Sequence, residues 1–211
     1  MKNIISQFKD IPTTIIADVL DGRNVLGSEI RALDEQYKFA GRALTVNMEV
    51  GDASSVFKAV AYIKAGDIIV IDAKGDQNFA VMGDFILGIF KKHKVGAVVI
   101  NGVIRDILGV KDLNVPVCCK GTTPSASNIG NQGEVNVPIH IEDTTIRPGD
   151  IIVGDADGII VVPIESYQEI LAKAPEKLSK DKKHDEILCD SPESIRKYID
   201  TIVSTKKSNQ F

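Results

Sequence analysis

The chain has 211 residues, 44% hydrophobic and 26% charged, with a net charge of −4 and no tryptophan. These figures suit one globular domain with a sizeable core. No apolar run reaches the roughly 18 residues of a membrane span, and the acidic balance and scarce aromatics argue against nucleic-acid binding.

The N-terminal MKNIISQFKD lacks the apolar stretch of a secretory signal, so a cytoplasmic location is expected. Ile4, Ile5, Phe8 and Ile11 recur at helical spacing until Pro12. Thr13 or Thr14 then caps a short helix, IIADVL, that runs to the turn Asp21-Gly22. Asp18 within it reads as a solvated helix residue rather than a functional acid. FAGRALTVNMEV, 39–50, reads as a strand entered through Gly41. Its Arg42 is expected to make a surface ion pair, with anion binding as the other reading. Ser54 to Lys64 has Val56, Ala59, Val60 and Ile63 on one helical side.

KAGDIIVIDAKG at 64–75 recurs as RPGDIIVGDADG at 147–158. Two copies suggest a duplicated strand-turn element, in which Gly allows the tight turn, Asp67 or Asp150 caps it, and Ile-Ile-Val is a buried strand. Asp72 to Asn78 forms a polar loop. GDFILGIFKKHKVGAVVINGVIRD, 83–106, reads as a helix and then an interior strand. Phe85, Ile86, Ile89 and Phe90 share a face, Asp84 opens the helix, and Lys91, Lys92 and Lys94 suit its C-terminal dipole. Roughly 15 Å of helix matches roughly 16 Å of strand. A strand returning along the helix would bring Arg105 and Asp106 level with Asp84.

Val115 to Cys119 predicts another strand, and Gly121 to Ser125 either borders a pocket or is a plain surface loop. Strands are expected at 135–141, 144–146 and 158–163. Beyond Pro163, Tyr167, Ile170, Leu171, Ala174 and Leu178 form a helical stripe. Ser191-Pro192 opens a second helix with Ile195, Tyr198, Ile199 and Ile202. The division is thus a core domain at 1–163 and a helical tail at 164–211, which docks on its own core or on a neighbouring subunit. Three cysteines fit neither a disulfide framework nor a metal spacing, and read as reduced thiols. His93, His140 and His184 are dispersed, which disfavours a zinc site.

Standard nucleotide, hydrolase and zinc-protease motifs are absent from the sequence. What remains is Asp84 with Arg105 and Asp106. A guanidinium can clamp a carboxylate while acids hold a hard cation such as Mg²⁺, an arrangement suited to polarising a 2-oxo group. The residues alone equally allow an ordinary Arg-Asp ion pair after a strand.

An Asp, twenty intervening residues and then Arg-Asp resembles the metal-aldolase motif of one family. That family includes class II 4-hydroxy-4-methyl-2-oxoglutarate/4-carboxy-4-hydroxy-2-oxoadipate aldolases and the regulators of ribonuclease E activity. IIADVLDG, AGRALTVN, both Gly-Asp repeats and DADGIIVVP extend the likeness over roughly residues 12–163. The resemblance implies an α/β fold, a swivelling β/β/α domain with a C-terminal helical tail, assembled as a homotrimer or homohexamer. It implies Mg²⁺ or Mn²⁺ held by Asp106, a substrate carboxylate bound by Arg105, and Asp84 ordering metal-bound water. Amides within Gly83, Asp84, Phe85, Ile86 and Leu87 would help hold pyruvate. The implied reaction is retro-aldol cleavage of a 4-hydroxy-2-oxo acid to pyruvate, with oxaloacetate decarboxylation through the same enolate. The alternative is a non-enzymatic protein-binding regulator of the ribonuclease E type. Relatives labelled menaquinone methyltransferases are a poor guide, because no glycine-rich nucleotide loop is present. Two departures from the aldolase pattern stand out. Gly109 replaces an acid common three residues after Arg-Asp, and the neighbouring subunit's tail acid falls to Asp181 or Glu176.

Overall fold

A computed structural model describes residues 2–188 and 191–208. The first helices are α1 (Lys2–Lys9) and α2 (Thr13–Val19), followed by strands β1 (Arg31–Ala32) and β2 (Phe39–Asn47). Next come α3 (Ser54–Ala59), which tightens into a 3₁₀ turn at Val60–Tyr62, then β3 (Ile68–Asp72), α4 (Asp84–Lys92) and β4 (Ala97–Asn101). Short elements follow: β5 (Val103–Ile104), α5 (Ile107–Asp112), β6 (Val117–Cys119), β7 (Gly121–Thr122) and β8 (Glu134–Val135). The chain continues through β9 (Ile139–Ile141), β10 (Thr144–Ile146), β11 (Ile151–Asp155) and β12 (Gly158–Val162) to the tail helices α6 (Tyr167–Leu188) and α7 (Pro192–Ser208).

The main sheet has the order β1-β6-β4-β3-β2-β11-β12, with β8 pairing the end of β2. Strands β2, β3, β4 and β6 are mutually parallel, while β1, β11 and β12 run antiparallel to their neighbours. Val25 bridges to Ile160 of β12 and Arg31–Ala32 pairs with β6, so the segment between them links the two edges into a nearly closed barrel.

Alternation of side chains across the sheet sorts the core into three parts. Phe39, Ala43, Ile68, Val70, Ala97, Val99, Ile152 and Val161 point inward, where the β9–β10 hairpin adds Ile139, Ile141 and Ile146. Leu44, Val46, Ile69, Ile71, Val98 and Ile100 point outward under α3, α4 and α5. Ile151, Val153, Ile160 and Val162 meet Phe8 of α1, Ile16 of α2 and Ile170 of α6. β3 and β4 are therefore buried on both faces, as their unbroken apolar runs require.

The repeat forms two near-identical turns on either side of β2. Gly66 and Gly149 have φ of 91° and 93°, and Asp67 and Asp150 accept the N–H of Lys64 at 2.9 Å and of Arg147 at 2.8 Å. Both acids are turn caps, as expected. One copy feeds β3 parallel to β2, and the other feeds β11 antiparallel to it.

Several expectations need correction. Thr13 is the first residue of α2 rather than its cap, and Asp155 at the end of β11 accepts both its N–H (2.8 Å) and its hydroxyl (2.6 Å). The strand expected at 135–141 divides into β8 and β9 around Pro138, which has no N–H for a ladder. The helix expected to reach Lys64 ends at Tyr62. The two-residue β1, β5 and β7 and the six-residue α5 escaped periodicity because they are shorter than the patterns it detects.

The tail docks its first turns on its own chain. Ile170 and Ala174 are buried against the α2 side, and Lys177 lies 3.8 Å from Asp18, which fits the reading of Asp18 as a solvated helix acid. No helix among the described residues is long and apolar enough to cross a membrane.

Candidate active site

β4 ends at Asn101, and the chain turns out of the core through Gly102, where a Cβ would stand 3.0 Å from that of Ala73 and 3.3 Å from Val81. The loop 73–82 therefore lies directly against this exit. Val81 N–H donates to Val103 O (2.8 Å) and Arg105 N–H to Met82 O (3.0 Å), so residues 81–82 run beside β5. These bonds set Gly83-Asp84 against Arg105-Asp106, which is the juxtaposition that the matched helix and strand lengths predicted.

Gly83 is the N-cap of α4 and Asp84 its first residue. A Cβ on Gly83 would collide with Asp106 Oδ2 and stand 3.1 Å from Arg105 Cγ. Asp106 adopts the left-handed conformation (φ 57°, ψ 41°) at the start of α5, and its Oδ2 pairs with Arg105 Nε at 3.2 Å. Both side chains remain 46% exposed, so the pair is open to a ligand. Asp84 faces the other glycine, since a Cβ on Gly109 would stand 2.6 Å from Asp84 Oδ2. Gly109 therefore marks the space that the Asp84 carboxylate occupies.

The other residues of the segment divide by role. Ile86 and Leu87 bury their side chains in the core, and the Leu87 N–H is bonded to Gly83 O at 3.2 Å. The N–H groups of Asp84, Phe85 and Ile86 have no partner among the described residues, as a helix N-terminus dictates, and carry its partial positive charge. Phe85 and Leu108 are 71% and 77% exposed beside the site. Phe85 and Ile89 of α4 with Leu113 after α5 line an apolar groove that Asp84 and Lys92 flank.

Among the described residues no cluster of three or more His, Cys, Asp or Glu is placed to hold a metal. The carboxylates of Asp106 and Asp84 instead suit a hard cation that keeps most of its waters and takes oxygens from a substrate. That donor set is all oxygen, the kind Mg²⁺ or Mn²⁺ prefers, and it lacks the Cys and His ligands usual in structural zinc sites. Glu176 and Asp181 are exposed on α6, and Glu176 pairs within its own helix with Lys180 at 2.8 Å.

The sequence reading missed a row of polar residues at the C-terminal ends of the parallel strands. Asn47, Asp72 and Asn101 lie in register across β2, β3 and β4. Buried Asp72 accepts from Asn101 Nδ2 (2.9 Å), Lys74 N (2.9 Å) and Lys74 Nζ (2.7 Å). The N–H groups of Ala73 and Gly75 both donate to Asn101 O, at 3.2 and 3.1 Å, fixing the start of the loop that delivers Gly83. The missed signal was a polar residue closing each apolar run, which marks the strand ends where α/β proteins build sites. Gly121 to Thr123 lies beside β5, with Thr123 N–H donating to Ile104 O at 2.9 Å.

Cys118 and Cys119 are buried, and burial pushes the Cys118 thiol up to about 12, so both are protonated core residues. Cys189 lies outside the described residues, as does the side chain of His184. His93 closes α4 exposed, and His140 Nδ1 lies 3.1 Å from Thr145 Oγ1.

An α/β barrel of swivelling β/β/α type, with an acid-Arg-acid group at a helix N-terminus and a helical tail, is the class that this fold and site define. The chain belongs to the RraA-like (Aldolase/RraA) family, whose pattern it matches over residues 13–161. It is 43% identical over 201 residues to a protein of Halalkalibacterium halodurans provisionally named a 4-hydroxy-4-methyl-2-oxoglutarate aldolase, covering 95% of this chain and 96% of that one. A crystal structure of Streptomyces coelicolor RraAS2, described as an unusual member of the RNase ES inhibitor RraA family, superposes with a TM-score of 0.75 at 27% identity, over 87% of this chain and 97% of that one. An uncharacterised Pseudomonas syringae pv. tomato protein reaches a TM-score of 0.82 at 25% identity over 94% of both chains.

Proposed function

We propose that this protein is a divalent-metal-dependent class II aldolase that releases pyruvate from 4-hydroxy-2-oxo diacids and also decarboxylates oxaloacetate. The observation that carries the reading is the packing of Gly83 on Arg105-Asp106 at the start of α4, where a guanidinium, the Asp106 carboxylate and open helix amides meet and the Asp84 carboxylate lies alongside at Gly109. With Nε held by Asp106, the Nη edge of Arg105 is the fork that receives the substrate's 1-carboxylate. The amides of Asp84, Phe85 and Ile86 add donors for that anionic end. Asp106, with Asp84 beyond it, would hold Mg²⁺ or Mn²⁺, which when bound supplies a Lewis acid for the 2-oxo group. Asp84 orders the water through which the 4-hydroxyl proton leaves. The C3–C4 bond then breaks, a carbonyl forms at C4, and the electron pair passes to the enolate of pyruvate, which is protonated at C3. Asp181 or Glu176 from a neighbouring subunit of a homotrimer or homohexamer would complete the acid set.

Pyruvate release measured over a panel of 4-hydroxy-2-oxo acids and oxaloacetate, with and without EDTA, tests this. Turnover that EDTA abolishes is expected, as is its loss in Asp106→Asn with the melting temperature unchanged, because Asn tolerates the left-handed backbone. Arg105→Lys should raise KM by removing the fork. Metal-independent turnover, or full activity in Asp106→Asn, would overturn the reading. One observation favours a second reading as a protein-binding regulator of the ribonuclease E type: Phe85 and Leu108 stand exposed at the rim. That reading predicts no turnover on any acid of the panel.

A further inference from the structure

Arg42 was expected to make a surface ion pair, yet among the described residues its guanidinium has no acceptor. Its neighbours explain where it points. Gly41 packs so closely on the first repeat turn that a Cβ would collide with Gly66 O, and Ala43 faces the barrel interior. Arg42 therefore projects from the opposite face of β2 into a cleft of about 460 Å³, half-buried. The cleft lies at the N-terminal end of β3, whereas Arg105 follows the C-terminal end of β4.

Both repeat turns wall it, the first through Lys64 and Asp67 and the second through Pro148 and Gly149, with Tyr62 and Asn136 at the sides. Its cations are Arg42 and Lys64, and neither side-chain charge is paired within the described residues. Asp67 is the one carboxylate in the lining, and its Oδ2 is occupied in capping the turn at Lys64 N–H. The lining thus carries two cations against one carboxylate, and the Arg42 guanidinium, which no carboxylate of the described residues contacts, is free to take a mobile anion.

We propose that this cleft is a binding site for a compact dianion, a phosphate or short dicarboxylate, gripped by the Arg42 fork and the Lys64 ammonium. The site is separate from the Arg105 group and does not depend on the aldolase reading.

Calorimetric titrations with inorganic phosphate and, separately, malonate at fixed ionic strength test it. Saturable one-to-one binding of at least one probe is expected, and the tighter probe identifies the chemical source. Arg42→Ala should weaken it about tenfold or more, the loss of a charge-assisted bidentate contact. Arg42→Lys, which keeps the charge but not the fork, should fall between, and Lys64→Ala should also weaken binding. Arg105→Ala should leave this binding intact. No saturable heat with either probe at millimolar concentration would overturn the proposal, as would binding that disappears in Arg105→Ala but survives in Arg42→Ala. A change of sedimenting mass in Arg42→Ala, with no anion binding by the parent protein, would also overturn it and assign the face to a contact between copies.

Discussion

At Gly83 the absent Cβ leaves room for Asp106 Oδ2, and at Gly109 it leaves room for the carboxylate of Asp84. Gly109 looked in the sequence like a lost acid, whereas in the fold it is a space another acid fills. At Gly83 a methyl group meets the free end of the Asp106 carboxylate, which can rotate away at a cost of roughly 0.5–1.5 kcal/mol. At Gly109 it also stands 3.0 Å from Asp84 Cβ, which no side-chain rotation moves. Gly83 has an extended backbone that any residue adopts, which removes a second source of strain there. Gly83→Ala should therefore unfold in urea within about 1.5 kcal/mol of the parent, and Gly109→Ala, which must shift Asp84 itself, should lose at least as much. On the proposed aldolase reading, pyruvate release by both variants should fall about ten- to a hundredfold, because the displaced carboxylates would lose their hold on the metal. A stability loss with activity intact would show that the carboxylate positions are not critical.

At the scale of elements, the α4–β4 unit and the Gly-Asp turns were legible because their signals are local: a full apolar face, a Gly at positive φ, an Asp three residues after the N–H it caps. The long connection 120–132 was not, because what orders it comes from elsewhere. Asp52 accepts from Ser54 N (2.9 Å) and Gln132 N (3.0 Å), pinning the loop to the start of α3. The Ser54 hydroxyl foremost, with the amides of Gly130 and Ser54, holds the Asp52 carboxyl well below its ordinary value of 3.8. A lowered pKa means that the folded state favours the ionised form. Its stabilisation is complete above 3.8 and is lost as pH falls beneath it. Asp52→Asn should be less stable at neutral pH and should lose this part of the acid dependence, measured by urea unfolding between neutral pH and the acid range. Parallel pH profiles for the two proteins would refute the assignment.

Over the whole molecule, the sheet divides the apolar residues among an inner core, the α3–α5 layer and the layer under α1, α2 and α6. Ile170, with Tyr167 and Leu171 packed beside it, makes the tail part of that third layer, while Ile199 and Val203 of α7 remain about half exposed. Ile170→Ala should cost about 2–5 kcal/mol, the range for a fully buried Ile-to-Ala change, and Ile199→Ala much less. Equal effects in denaturant unfolding of the isolated chain would mean that α7 is as firmly docked as α6.

The sequence by itself determined the strands that are buried on both faces, the duplicated turns, the helical tail and the segment from Gly83 to Asp106, because each is written in consecutive residues. Only the tertiary structure decided what distant segments do to one another. It set Asp155 on Thr13, aligned Asn47, Asp72 and Asn101 across three strands, put Asp84 in the space at Gly109, and left Arg42 facing a cleft between two turns. Local pattern reports which face of an element is apolar, but register and closure of the sheet set which polar groups meet. Those depend on contacts between residues far apart in the chain.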